Sequence, residues 1–228
     1  MRIFVTGGSG VLGQAALPRF ERAGHTLVAP GRAELDLFDA DAVRAALSGV
    51  DAIAHLATRI PPLARFEEPG AWDENDRLRT EVSRLLVDAA PPTAELYVQA
   101  SITFVYPPSV PVDESTPVGD VAPHLRSALD AEAQAQRFAA SGGRGVVLRF
   151  GHLYGPGTWS DSPDPDSDAP LHVDDAGSAL ELALGVPSGI YNVVADGGRV
   201  SNARFKQTTG WAPRHRAARR SPRAPRSS

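Results

Sequence analysis

The chain has no cysteine, which excludes disulfides, thiolate nucleophiles and thiolate metal sites. It has no apolar run near the ~20 residues that a membrane-spanning helix needs, so no membrane partner is expected. Its start reads directly as a strand and a glycine-rich turn rather than a signal peptide, and a cytoplasmic location is the default expectation. No segment repeats at a period of about 20–50 residues, which argues against a solenoid. The absence with most chemical consequence is local: residues 107–153 contain neither tyrosine nor lysine.

What is present suits a folded globular protein. The 228 residues are 42% hydrophobic and 22% charged, enough to bury one large core. The net charge of −4 conceals an asymmetry. Residues 214–228 carry Arg214, Arg216, Arg219, Arg220, Arg223 and Arg226 and no acid, so the body is more acidic than the net figure. This tail has almost nothing to bury and is expected to be disordered. Without aromatics it offers no base-stacking surface, and nucleic acid is not the expected partner. The body, residues 1–213, is expected to be one domain.

Residues 2–5 form a short apolar run that leads into Gly7, Gly10 and Gly13, spaced G-x-x-G-x-x-G, and then into a helix. A strand entering glycines at this spacing is the entrance to a dinucleotide site. Gly7 permits the turn out of the strand. Gly10 lets the backbone approach a pyrophosphate, which the helix start favours electrostatically. Gly13 allows the helix to pack closely on the sheet. The helix should run to about residue 22, although Pro18 removes one of its hydrogen bonds. A second strand is expected at 25–29. After it, a carboxylate would bind the ribose 2′-hydroxyl of NAD, and an arginine would accommodate the 2′-phosphate of NADP. Arg32 stands there, with Glu34 just beyond. The cofactor expectation is therefore NAD(P), with NADP slightly favoured; the competing reading of Arg32 is a plain surface arginine.

Helical and strand patterns then alternate. A helix is expected at 40–47, a buried strand at 50–57, a Pro-rich apolar loop at 59–73 and a long helix at 75–90. A strand at 95–101, an alanine-rich helix at 124–140 and a strand at 145–149 follow. His55, on a buried strand, reads as a core histidine. The alternation argues for an α/β fold, a doubly wound parallel sheet of the Rossmann-like kind.

Several separated motifs agree, and together they make the chain resemble the extended short-chain dehydrogenase/reductases, in particular the NAD-dependent epimerase/dehydratase family, over residues 1–213. Thr6 to Gly13, including Ser9, Val11 and Leu12, is similar to that family's nucleotide loop. Asp36 and Leu37 resemble its adenine-side pair. His55, Leu56 and Ala57, with Thr58, resemble the strand end that lies along the cofactor. Phe150, with Tyr154-Gly155-Pro156-Gly157, is similar to the segment that passes the nicotinamide. His172-Val173-Asp174-Asp175 and Gly189 to Val193 resemble a later helix start and strand. The resemblance implies a small-molecule substrate and a homodimer. Residues 154–172 and 189–213 would supply the substrate lobe, which is short here.

The chemistry departs from the family. Its Tyr-x-x-x-Lys pair falls on His124 and Ala128 if Glu132 is the family's glutamate, and its catalytic hydroxyl falls on Ile102, between Ser101 and Thr103. The expected substitutes are Ser101 or Thr103 to polarise a substrate oxygen and Tyr106 or His124 to move a proton, imidazole titrating near neutrality unaided. One reading is an NAD(P)-dependent oxidoreductase or epimerase-like enzyme acting on a small carbonyl, hydroxyl or sugar-like compound. The other is a non-catalytic NAD(P)-binding sensor. No metal is expected: the acidic run 164–168 resembles a calcium loop, but Ala169 stands where that loop needs glycine.

Overall fold

In a computed structural model, which describes residues 1–108 and 111–215, the elements alternate in the expected order. β1 (Arg2–Thr6), α1 (Val11–Arg22), β2 (Thr26–Val28), α2 (Ala40–Ala46) and β3 (Ala52–His55) form the first half. Then come α3 (Asp73–Arg77), a π-helical turn (Leu78–Val82), α4 (Ser83–Asp88), β4 (Leu96–Ile102), α5 (Pro123–Ala140) and β5 (Arg144–Phe150). β6 (His152–Tyr154), β7 (Pro170–His172), α6 (Val173–Ala183), β8 (Gly189–Val193) and α7 (Ala203–Thr209) complete it.

Six strands form one parallel sheet in the order β2-β1-β3-β4-β5-β8. The chain goes one way from β1 to β2 and the other way from β3 onward, so the order reverses between β1 and β3. Ligands bind open α/β sheets at such a switch point, beyond the carboxyl ends of the strands. β6 and β7 form a separate parallel pair, not anticipated from the sequence, above that end.

Both faces of the sheet are covered, as the strand composition requires. Ile3, Val5, Leu96, Val98, Val146 and Leu148 point into one core with Phe20, Leu180 and Phe205. The alternate residues Phe4, Ile53, Tyr97 and Val147 point into the other, with Val43, Leu86 and Phe138. Gly177 packs α6 on α1: a methyl group there would stand 2.6 Å from the Ala15 carbonyl oxygen. Pro18 is accommodated because it lies on the solvent side of α1, where the carbonyl of exposed Gln14 loses its partner to water at little cost.

The long helix expected at 75–90 is broken by the π-helical turn. The sequence carries the cause. Thr80 Oγ1 donates to the Asp76 carbonyl, Ser83 Oγ donates to the Arg79 carbonyl, and His55 Nε2 lies 3.0 Å from the Leu78 carbonyl. Side chains that take backbone carbonyls compete with the regular helical ladder.

Candidate dinucleotide and substrate site

At the switch point the loop after β1 lies directly on the chain after β3. Gly7 has φ +72°, and a methyl group on it would stand 2.7 Å from both the nitrogen and Cα of Ala57. Gly13 is equally tight, 2.3 Å from the Gly7 carbonyl oxygen. Gly10 is the N-cap of α1. It offers no side-chain cap, and the first turn carries no acid, so the free N–H groups of that turn retain their positive end for an anion. By contrast, Asp39 caps α2 through the Asp41 and Ala42 N–H groups. The cradle suits a pyrophosphate: Ser9 and Gly10 are exposed, and Val11 and Leu12 are half-buried beside them.

His55 sets the strand end. Only its Nε2 can donate to the Leu78 carbonyl, so Nδ1 accepts from the Thr6 hydroxyl at 2.6 Å, and Thr6 Oγ1 in turn accepts from the Ala57 N–H at 3.3 Å. Burial holds its pKa down to about 4, so the ring is neutral and structural. Leu56 is buried, Ala57 half-buried and Thr58 exposed at the loop's edge.

After β2, Asp36 Oδ1 accepts from the Phe38 N–H, and Leu37 packs on the second core. Glu34 accepts from the Gly31 N–H at 2.7 Å, which commits it to its own turn. Arg32 pairs with Glu74, at the start of α3, and Arg59 Nε approaches the same carboxylate at 3.6 Å. Arg59 did not stand out in the sequence, because only the fold brings the chain after β3 beside the chain after β2.

At the carboxyl ends of β4, β5 and β8, Ser101, Arg149 and Asn192 stand in register. Glu132 reaches down from α5. Its carboxylate accepts from Arg149 Nε at 2.8 Å, from Arg149 Nη2 at 2.7 Å and from Ser101 Oγ at 2.5 Å. The Arg149 guanidinium covers the Tyr106 ring at 4.7 Å, and the Tyr106 hydroxyl donates to Asn192 Oδ1 at 2.9 Å. Burial pushes the Tyr106 phenol above its ordinary range, with the Arg149 charge opposing. Ser101 and Tyr106 are thus committed to a buried network. Thr103 is buried on the turn after β4. Ile102 presents an alkyl group, and Ala128 is buried in α5. The one lysine in the sequence, Lys206, is on α7 and paired with Asp196. Phe150 is buried, in register between Ile102 and Val193. On the helical rod facing α5, Asn75 Nδ2 and Arg79 Nη1 are buried without partners.

His124 is half-buried at the start of α5, its ring 4.8 Å from that of Trp72. Trp72 meets Phe66 at 5.0 Å, and Phe66 meets Trp159 at 5.4 Å. The rings come from three separate segments, so no periodicity in the sequence announces them. Gly157, two residues before Trp159, approaches Val11 of the nucleotide loop: a methyl group on it would stand 3.8 Å from Val11 Cγ2.

His172 caps α6, and its ring stacks on His215 at 3.6 Å. The buried Asp175 carboxylate accepts the backbone N–H groups of Arg214 and His215. These first two residues of the Arg-rich tail are therefore bound to the body, and the rest of the tail lies outside the described residues. His172, Asp174 and His215 bring ligand-type atoms within 4.8 Å of one another. Both Nδ1 atoms already have hydrogen-bond partners, the Asp174 N–H for His172 and the Asp175 carboxylate for His215.

A doubly wound sheet with a glycine cradle at its switch point and an uncapped helix behind it defines a dinucleotide-binding α/β protein. The model of the NAD dependent epimerase/dehydratase family matches residues 3–184. The chain belongs to that family, and its function is of the NAD(P)-dependent oxidoreductase or epimerase kind. It is 32% identical to a 3-diazoavenalumate denitrifying reductase from Streptomyces sp. over 86% of this chain and 76% of that protein. Among solved structures it is similar to MoeE5 in complex with UDP-glucuronic acid and NAD, with a TM-score of 0.80, 20% identity and 94% of both chains covered. It is also similar to RMD from Pseudomonas aeruginosa complexed with NADPH, with a TM-score of 0.76, 23% identity and 93% of both chains covered. No helix is long and apolar enough to cross a membrane among the described residues.

Proposed function

We propose that the chain is an NADPH-dependent reductase whose acceptor takes hydride without a proton from a protein tyrosine. The observation that carries this is the fate of the acid positions. The buried Tyr106 phenol donates to Asn192 and is pushed upward in pKa, the reverse of what proton exchange near neutrality requires. If Glu132 is the family's glutamate, His124 and Ala128 fall where the family has its tyrosine and lysine, and counting back from Val105-Tyr106 puts Ile102 where it has its hydroxyl.

Gly7, Ser9, Gly10, Val11, Leu12 and Gly13 would hold the pyrophosphate, with Asp36 and Leu37 at the adenine and Leu56, Ala57, Thr58 and Phe150 along the nicotinamide half. Bound there, the reduced dinucleotide supplies a hydride. Arg32 and Arg59 converge on Glu74, and a 2′-phosphate is the anion these two guanidiniums would take in its place. Thr103 and His124 border the acceptor, whereas Ser101 and Tyr106 hold the strand ends in place. A homodimer through the outer faces of α4 and α5 rests on family analogy alone and is tested by light scattering.

A diazo group meets the chemical requirement and is the group named for the Streptomyces relative. Its terminal nitrogen accepts the hydride to give a diazene. The carbon–nitrogen bond then breaks, dinitrogen leaves and the hydrogen ends on carbon. The negative charge that the hydride brings to the neutral quinone diazide rests on the ring oxygen, and the phenoxide takes its proton from water, so two electrons reduce the ring carbon and no tyrosine proton is consumed. The test is NADPH oxidation with para-quinone diazide, followed at the dinucleotide's absorbance and by chromatography of the phenol product. Coupled NADPH loss and phenol formation are expected. Turnover of simple ketones but not of the diazide would contradict the proposal.

A further inference from the structure

The large apolar side chains left exposed are concentrated at one end of the molecule. Of the seven among the described residues, five (Ile60, Leu63, Phe104, Val118 and Trp159) lie in the segments that leave β3, β4 and β6. These segments border the crevice beyond the strand ends. Met1 and Leu182 lie elsewhere. Burying a sugar in such a rim would waste its hydroxyl groups, because a buried hydroxyl without a hydrogen-bond partner costs more than it returns.

Within this rim the rings of Trp159, Phe66, Trp72 and His124 run in a continuous row, with successive centroids 5.4, 5.0 and 4.8 Å apart. The row ends at His124, at the start of α5. Its other end, Trp159, is 60% exposed and belongs to the same loop as Gly157, where a methyl group would stand 3.8 Å from Val11 Cγ2 of the nucleotide loop. An indole more than half exposed at the end of an otherwise packed row has room for a further ring. Offset or edge-on packing against a flat conjugated partner is the interaction that such rings favour.

We infer that this row is an aryl-binding platform and that the acceptor is a flat conjugated molecule rather than a sugar nucleotide. The inference deepens the reductase reading of the same site and rests on it for the identity of the reacting partner. It also explains why a short substrate lobe suffices: a planar ring needs one wall and a rim, whereas a nucleotide sugar needs a long polar groove.

The test is calorimetric titration of the full chain, with and without saturating NADPH, using 2-naphthol and its saturated counterpart decahydro-2-naphthol. The two probes share a skeleton and a hydroxyl group and differ in flatness. The platform requires 2-naphthol to bind at least about tenfold more tightly, and Trp159→Ala to weaken it about three- to tenfold while NADPH affinity stays unchanged. Phe66→Leu, which keeps apolar bulk, should weaken it as well. Equal binding of the two probes, or an unchanged 2-naphthol affinity in Trp159→Ala, overturns the platform. Failure of NADPH to bind while 2-naphthol still discriminates would sink the reductase reading and support the platform.

Discussion

Glu132 grips Arg149 along one guanidinium edge, Nε and Nη2, at 2.8 and 2.7 Å, with both side chains only 4% exposed. This buried pair holds α5 against β5 and fixes Ser101 and Tyr106 beside it. Removing one partner strands the other charge in a place where water cannot reach it. Glu132→Ala should therefore cost about 3–5 kcal/mol of folding stability, read as a lower urea midpoint. The double variant with Arg149→Met should recover part of that loss. A single variant of wild-type stability would mean that the pair contributes nothing.

Gly7 is constrained twice, by φ +72° and by the Ala57 backbone. Gly7→Ala should reduce NADPH affinity by at least about tenfold, since the loop must move to admit one methyl group. Gly24 has a positive φ with nothing near its missing side chain, and Gly24→Ala should leave that affinity intact. Fluorescence titration separates the two.

Arg32 and Arg59 share Glu74. Arg32→Ala should weaken NADPH more than NADH, and Glu74→Gln should strengthen NADPH by freeing both guanidiniums. Equal effects on the two dinucleotides would remove Arg32 from the 2′-position.

His55 gives the fold a pH dependence of defined sign. Its folded pKa is lowered to about 4 by burial, below the ~6.5 of an unfolded histidine. Between these values the unfolded chain binds a proton that the folded chain does not. Stability from this group is complete above about pH 6.5 and is lost as the pH falls toward 4, by about 3 kcal/mol. Urea unfolding from pH 7.5 to 4.5 should show the decline, and His55→Gln should flatten it.

Much of the fold was legible in the sequence, because the strands alternate with amphipathic helices and the glycines mark the turn out of β1. His55 was legible too, since a histidine in a run of buried residues has few ways to be satisfied. The π-helical turn was not: it arises from Thr80, Ser83 and His55 taking carbonyls, and the His55 bond crosses 23 residues. The Ser101–Glu132–Arg149–Tyr106 network was hidden for the same reason, because strand register brings its members together. The row from Trp159 to His124 comes from three segments that meet only at the crevice.

The central claim is that hydride transfer here needs no tyrosine acid, and it is tested most directly by the kcat of Tyr106→Phe with para-quinone diazide and NADPH. Losing the hydroxyl bond to Asn192 should cost about 1 kcal/mol of stability. It should leave kcat within about twofold of wild type. A fall of a hundredfold or more, the size expected for a lost general acid, would contradict the account.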